Sequence, residues 1–394
     1  MSSLHDVRLW TAVALLFVAS EIEFPKWGLR VITPHHSGGV VKNLGLIAVG
    51  LTLCIGGIAH ASASDLAPAC AAGQAVHEAG FITIGGIEQW VVVDGADCGN
   101  PVVVIVHGGP GNPNTPFARN IFDDWENDFT IVQWDQRGSG KTYGANRPAG
   151  DEPLTLQALT TDGIEVTRYA IQRFGKRKVI LMGGSWGSAL ATHMAMAAPN
   201  LFHAYVGTGQ LVNYQQDLEV GYARTLSLAT AAGDSDAVTR LEALGAPPWT
   251  DPRAFGILRR ISRRYEAMVS EPPPAGWFTF GPGYDTPAYE ADYTAGEDYS
   301  FFNFVGAAND GMGPRIDLRR LGMDFAMPVY MLQGEEDLVT PAEVSRAYFD
   351  DLSAPQKTYV ALGRTGHDPN RIMIDAQHEA LMQARPEAVA TDGL

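Results

Sequence analysis

The chain has 394 residues, of which 46% are hydrophobic and only 18% charged, and its formal net charge is −16. That length allows one large α/β domain with an elaboration or two ordinary domains, and the composition excludes disorder over most of it. The acidic balance excludes nucleic acid as a partner, because phosphate neutralisation needs clustered Lys and Arg, and it identifies no substrate by itself.

Two apolar stretches precede the globular part. Leu9 to Ala19 is followed by Glu21 and Glu23 and is too short to cross a bilayer core of ~30 Å. "VKNLGLIAVGLTLCIGGIAHASAS" (41–64) has a lysine, an apolar core and small residues ending Ala61-Ser62-Ala63, the three-part layout of a secretory signal peptide, with cleavage expected after Ala63 or Ala61. Residues 1–63 are therefore expected to be an N-terminal extension and signal peptide, with a true start near Val40 or Val41. The mature chain is expected to be periplasmic or secreted and free of membrane; an uncleaved N-terminal anchor is the alternative. Cys54 would leave with the peptide. Cys70 and Cys98 would remain in an oxidising compartment, and whether they pair stays open.

From Phe81, "FITIGGIEQWVVVDG" reads as two β-branched runs joined by Gly85-Gly86, a hairpin signal. "PVVVIVHGGPG" follows, an unbroken apolar run before a glycine cluster, as in a strand buried on both faces. "FARNIFDDWENDF" is read as helical, and "FTIVQWDQRGSGKT" repeats the pattern of buried strand and glycine turn. The ending Gly-Lys-Thr invites comparison with a phosphate-binding loop, G-x-x-x-x-G-K-[ST]. The position of the first glycine is held by Asp135, a carboxylate that would repel phosphate, so no nucleotide is expected. Asp135 and Arg137 are expected to brace the turn, and Lys141 to be an ordinary surface side chain.

"LTTDGIEVTRYAIQRFG" has helical spacing and stops at Gly175, and "KVILMGGSWGS" then gives strand and tight turn before the small-residue helix "ALATHMAMAAP". Residues 211–315 break the alternation and are expected to form a mainly helical cap between core segments 64–210 and 316–394. "MPVYML", the helical "AEVSRAYFDDL" and "KTYVAL" resume it. Alternating strands and helices predict an α/β fold with a mostly parallel central sheet flanked by helices.

Gly183-Gly184-Ser185-Trp186-Gly187 fits G-x-S-x-G between strand and helix, the turn that lifts a serine Oγ above a sheet, with glycines where side chains would clash. Ser185 is the expected nucleophile. Serine needs a base, and the base needs an acid to orient it, in the chain order Ser, acid, His for this architecture. Asp337 follows the strand "MPVYML" and His367 follows "KTYVAL", both just past strand C-termini, where open α/β sheets place their sites. Glu335 and Glu336 are alternatives to Asp337. The other histidines are poorly placed: His60 leaves with the peptide, while His193 and His378 fall in helices. The oxyanion donors are expected to be the amides of Trp186 and of Gly109 in "HGGPG", each worth on the order of 3 kcal/mol. His107 is expected to hold that loop by a hydrogen bond. No His/Cys/Asp group has metal-ligand spacing, so neither metal nor other cofactor is expected.

"HGGPG", "DQRGSGKT", "GGSWGSALA", Gly334-x-x-Asp337-x-x-x-Pro341 and Gly366-His367 together resemble the proline iminopeptidase (prolyl aminopeptidase) family of α/β-hydrolases, over roughly 81–202 and from Met327 onward. The resemblance implies a Ser-Asp-His peptidase that releases an N-terminal residue, typically proline, from a small peptide or amide, with acidic cap residues holding the free amine. The family's Trp-Glu pair is not found. The nearest candidates are Glu266 after Tyr265 and the group Asp285, Glu290, Asp292, Glu297 and Asp298, the latter read chiefly as a surface acidic loop, so the substrate-binding residues stay unknown. An esterase or amide hydrolase on the same fold, and a non-catalytic binding module, remain as alternatives.

Overall fold

The computed structural model describes residues 70–149 and 153–392; the expected signal peptide lies outside them. Eight strands form a single sheet in the order β1-β2-β4-β3-β5-β6-β7-β8. β1 (Val76–Ile84) and β2 (Ile87–Gly95) make the expected hairpin through Gly85 and Gly86, both at positive φ as its two-residue turn requires. β2 runs antiparallel to β4 (Thr130–Trp134), and every later pairing is parallel: β4 with β3 (Val102–Val106), then β5 (Val179–Gly184), β6 (Phe202–Thr208), β7 (Val329–Gly334) and β8 (Lys357–Leu362).

The unbroken apolar runs have a direct geometric cause. Successive side chains of a strand point to opposite faces, and helices cover both. Val102, Val104, Val106, Val179 and Leu181 face one core cluster, while Val103, Ile105, Ile180 and Met182 face the other. The first face is covered by α3 (Leu156–Phe174) and α4 (Trp186–Ala197), the second by α1 (Ala118–Phe122) and α11 (Arg371–Asp392). α3 starts at Thr155, whose hydroxyl accepts from the Ala158 amide, and ends at Gly175 with φ 61°, the left-handed cap expected of that glycine.

Between β6 and β7 the chain passes through α5 (Tyr214–Ala231), α6 (Ser235–Leu244), α7 (Arg253–Val269) and α8 (Pro287–Val305). The reading of the acidic group as a surface loop is corrected here. Glu290, Asp292, Glu297 and Asp298 all lie on α8, which Thr286 caps and Pro287 opens. Its inner face carries Gly296 and Ser300, small enough to seat the helix on two core loops. A Cβ on Gly111 would sit 2.8 Å from the Cα of Glu297, and Ser300 Oγ donates to the Gly138 carbonyl at 2.7 Å.

Cys70 and Cys98 are joined in a disulfide, with Cα atoms 5.8 Å apart. Short α2 (Gly140–Ala145), α9 (Leu318–Leu321) and α10 (Ala342–Asp351) complete the described elements. No described helix is long and apolar enough to cross a membrane.

Candidate active site

Ser185 stands between the last residue of β5 and the first of α4 with φ 54° and ψ −127°, a conformation L side chains rarely adopt. The turn is possible because of its flanking glycines. A Cβ on Gly183 would come 2.3 Å from the Gly187 carbonyl, and one on Gly187 would come 2.1 Å from the Val106 carbonyl. The Ser185 amide donates to the Thr208 carbonyl at 2.9 Å, which ties the elbow to β6.

His367 Nε2 is 2.9 Å from Ser185 Oγ, and His367 Nδ1 is 2.9 Å from Asp337 Oδ2. Three residues scattered over the sequence thus form one bonded chain above the C-terminal ends of β5, β7 and β8. Asp337 is fully buried and amply held: the amides of Val339 and Thr340 donate to Oδ1 at 2.8 Å each, and Thr340 Oγ1 and Gln333 Nε2 donate to Oδ2 at 2.7 and 3.2 Å. Burial alone would raise its pKa, but the charge and hydrogen bond of His367 and the Thr340 donors outweigh that and hold the carboxyl below its ordinary range. Burial likewise pulls His367 down, and the Asp337 charge and bond overcome it, so the imidazole titrates above its ordinary value. Glu335 is exposed and Glu336 half-buried, so the carboxylate that reaches the histidine is Asp337.

Of the two expected oxyanion residues, Trp186 directly follows Ser185 in the chain. Trp186 begins α4, whose N-terminus carries unpaired amides, and its buried ring donates Nε1–H to Gln136 Oε1 at 3.0 Å. Gly109 has φ 109° in the turn after β3. Gly108, not singled out from sequence, lies against Ser185: a Cβ there would be 3.5 Å from that of the serine.

His107 ties this turn to "DQRGSGKT". Its Nε2 accepts from the Gln136 amide at 3.1 Å, its carbonyl accepts from Gln136 Nε2 at 2.9 Å, and Nδ1 bonds the Gly108 carbonyl at 2.8 Å. Burial pushes its pKa down to about 4, so the ring is neutral and Nε2 is free to accept. Gln136 therefore links both oxyanion segments, a role no motif announced. Asp135 accepts from the Lys141 amide at 2.7 Å and from Thr115, and Gly140 leaves the room, since a Cβ there would meet its carboxylate at 2.3 Å. Burial raises the Asp135 pKa to about 7. Arg137 reaches Asp162 at 2.9 Å and the Gly85 carbonyl at 2.9 Å, bracing the turn as expected.

Lys141 is not the ordinary surface side chain expected from sequence. Its ammonium sits 4.0 Å from the ring centroids of both Trp90 and Tyr284, and this partial burial lowers its pKa. The two rings offer it cation–π contact, and they come from β2 and from the segment before α8, far apart in the chain.

The acidic candidates separate by environment. Glu266 is buried and committed: Oε2 pairs with Arg259 at 2.6 Å and Oε1 accepts from the Leu338 amide at 2.8 Å. Asp292 pairs with Arg147. Glu297 stands over the glycine turn after β3 and its carboxylate hydrogen-bonds Asn112, while burial raises its pKa. Among the described residues, His77, Asp94 and Glu126 come together, but His77 Nδ1 already bonds Asp94 at 2.9 Å and Arg119 lies 3.5 Å from the same oxygen.

Residues 101–370 match the family model described as the alpha/beta hydrolase fold. The chain belongs to the α/β-hydrolase family. The probable aminopeptidase YbaC of Bacillus subtilis is 30% identical over 73% of this chain and 90% of its own length. The proline iminopeptidase of Neisseria meningitidis serogroup B is 25% identical over 78% of this chain and 96% of its own. The crystal structure of proline iminopeptidase from Mycobacterium smegmatis superposes with a TM-score of 0.58 at 18% identity, covering 80% of this hydrolase and all of that chain (100%), a likeness of fold. The resemblance to proline iminopeptidases read from the motifs is borne out, and with it the class of serine hydrolase.

Proposed function

We propose that this hydrolase is an exported aminopeptidase that releases an N-terminal residue, proline or a similar one, from small peptides or amides. The observation that carries the chemistry is the bonded chain Ser185–His367–Asp337. In this reading Ser185 Oγ attacks the scissile carbonyl while His367 Nε2 takes its proton. Asp337 fixes the tautomer and stabilises the imidazolium that forms. The negative charge moves to the carbonyl oxygen, which the amides of Gly109 and Trp186 receive. Collapse of the tetrahedral species breaks the C–N bond as His367 returns the proton to the leaving amine. Water, activated by the same histidine, then cleaves the acyl-enzyme.

Helices α5–α8 are taken as the cap. Glu297, whose carboxylate hydrogen-bonds Asn112, is the acidic group assigned here to a substrate's free amine, and its place over the turn after β3 supports that role. The names of the relatives point the same way. The test compares turnover of prolyl, alanyl and other aminoacyl arylamides with their N-blocked forms and with simple esters. Turnover that survives blocking of the amine overturns the aminopeptidase reading. Commitment of Glu266 to Arg259 and Leu338 favours the second reading, an esterase or amide hydrolase of small substrates, which predicts that outcome.

Export rests on the signal-peptide pattern of residues 41–63, and the Cys70–Cys98 disulfide is in keeping with an oxidising compartment. Fractionation of expressing cells, with mass spectrometry of the mature N-terminus, tests it against the alternative of a retained anchor.

A further inference from the structure

Helix α7 grips two short loops that carry chemistry. Arg259 is largely buried on that helix, with its side chain 19% exposed. One guanidinium nitrogen, Nη1, donates to Glu266 Oε2 at 2.6 Å, about two turns further along the same helix face, and the other, Nη2, donates to Asp368 Oδ1 at 3.1 Å. The second oxygen of Glu266 accepts the amide of Leu338 at 2.8 Å. Leu338 follows Asp337, and Asp368 follows His367. Arg263, one turn along α7, adds a bond from Nε to Asp368 Oδ2 at 2.7 Å.

We propose that Arg259 is a positioning residue, which through Glu266 and Asp368 fixes the backbone segments of the acid and the base and so sets the Asp337–His367 alignment from the inserted helix. The inference rests on the Ser185–His367–Asp337 mechanism and adds to it a part outside the sheet.

Two physical facts favour this arrangement over a casual surface pair. Arg259 bridges two carboxylates, one that holds the amide of the residue after Asp337 and one borne by the residue after His367, so a displacement of α7 is transmitted over a single peptide. The unit is also neutral in sum, two arginines against Glu266 and Asp368, and it lies within electrostatic reach of the imidazole. The titratable groups facing His367 are Asp337 from the β7 loop, Glu266 and Arg259 from α7, and its own neighbour Asp368, with Arg263 held behind Asp368. Glu266 raises the imidazole pKa and Arg259 lowers it.

The test follows from those opposite signs. In Arg259→Met both bonds are lost while the aliphatic stem stays; in Glu266→Gln the Leu338 acceptor stays while the charge goes. Each is measured as the full chain for kcat and KM against pH on an aminoacyl arylamide and a simple ester, and for the rate of Ser185 labelling by a fluorophosphonate, with the melting temperature recorded. The expected result for Arg259→Met is a fall in kcat and labelling rate of about 10- to 100-fold, the size of effect an ~1 Å misplacement produces, with KM within about threefold. Its acid limb moves to higher pH, that of Glu266→Gln moves to lower pH, and Arg259→Lys recovers part of the rate. Folded Arg259→Met with wild-type kcat and an unmoved acid limb overturns the proposal. If Arg259→Met does not fold, Glu266→Gln decides by the same limb. Failure of the wild-type protein to label would instead sink the serine mechanism on which the proposal stands.

Discussion

His367 meets Ser185 at 2.9 Å across 182 positions of chain, and the same ring meets Asp337 at 2.9 Å on its other nitrogen. The imidazole is thereby held in one tautomer, with Nε2 facing the hydroxyl as acceptor.

The pH profile follows from this pairing. A base must be neutral to accept a proton, and His367 is raised above its ordinary value by Asp337. The rate kcat/KM is therefore expected to fall as pH drops through a limb lying above the ordinary imidazole range near ~6.5. Asp337→Asn removes the cause, and kcat is expected to fall by about 10⁴-fold. Steady-state kinetics from pH 5 to 9 would check both, and a limb at or below the ordinary range refutes the pairing as the cause.

Gly187→Ala tests the elbow. Its new methyl would point at the Val106 carbonyl from 2.1 Å, with that of His107 at 2.6 Å, and both are backbone of the oxyanion segment. Neither can move without displacing β3. A loss of stability of at least ~1–3 kcal/mol is expected, together with most of the activity. Denaturant melts and fluorophosphonate labelling measure the two losses; a stable, fully active variant contradicts the elbow geometry.

Glu297→Gln probes amine recognition. A charge-assisted hydrogen bond is worth about 1.5–3 kcal/mol, so kcat/KM for free-amine arylamides is expected to fall by roughly 10- to 100-fold. The decisive quantity is the ratio of free-amine to N-blocked turnover, which should drop. An unchanged ratio places the amine elsewhere.

The disulfide joins Cys70 to Cys98, 28 positions apart, linking the start of the described chain to the lead-in to β3. Cross-linking a loop of that size stabilises by about 3.6 kcal/mol in the chain-entropy model. Reduction is expected to lower the melting temperature by several degrees while leaving kcat intact, since the bridge is remote from Ser185 in the fold. Calorimetry with and without reductant would decide, and an unaltered melt rejects the estimate.

Much of the core was legible because parallel strands are buried on both faces. "VVVIV" and "VILM" then need no polar alternation, and the glycine turns that follow them are forced by close backbone approach. Ser185 stood out because it directly follows such a strand, and Asp337 and His367 because they lie in the loops three and five residues past the ends of β7 and β8. Helix α8 was read as a loop because its seated face is built from Gly296 and Ser300 as well as Tyr289 and Phe304, leaving a weak apolar period. Lys141 was misread for a different reason. Its aromatic partners lie in β2 and in the segment before α8, and a motif reports only local neighbours.

Local sequence determined most of the elements, the tight elbow and the candidates for the reacting groups, because backbone sterics and burial act residue by residue. Only the tertiary structure decided how the acidic groups divide. Glu266 is consumed by Arg259 and the Leu338 amide, whereas Glu297 stands over Gly111. The two are the same residue type on inserted helices, and what distinguishes them is which donors the fold brings to each: an arginine and a backbone amide for Glu266, the Asn112 side chain for Glu297.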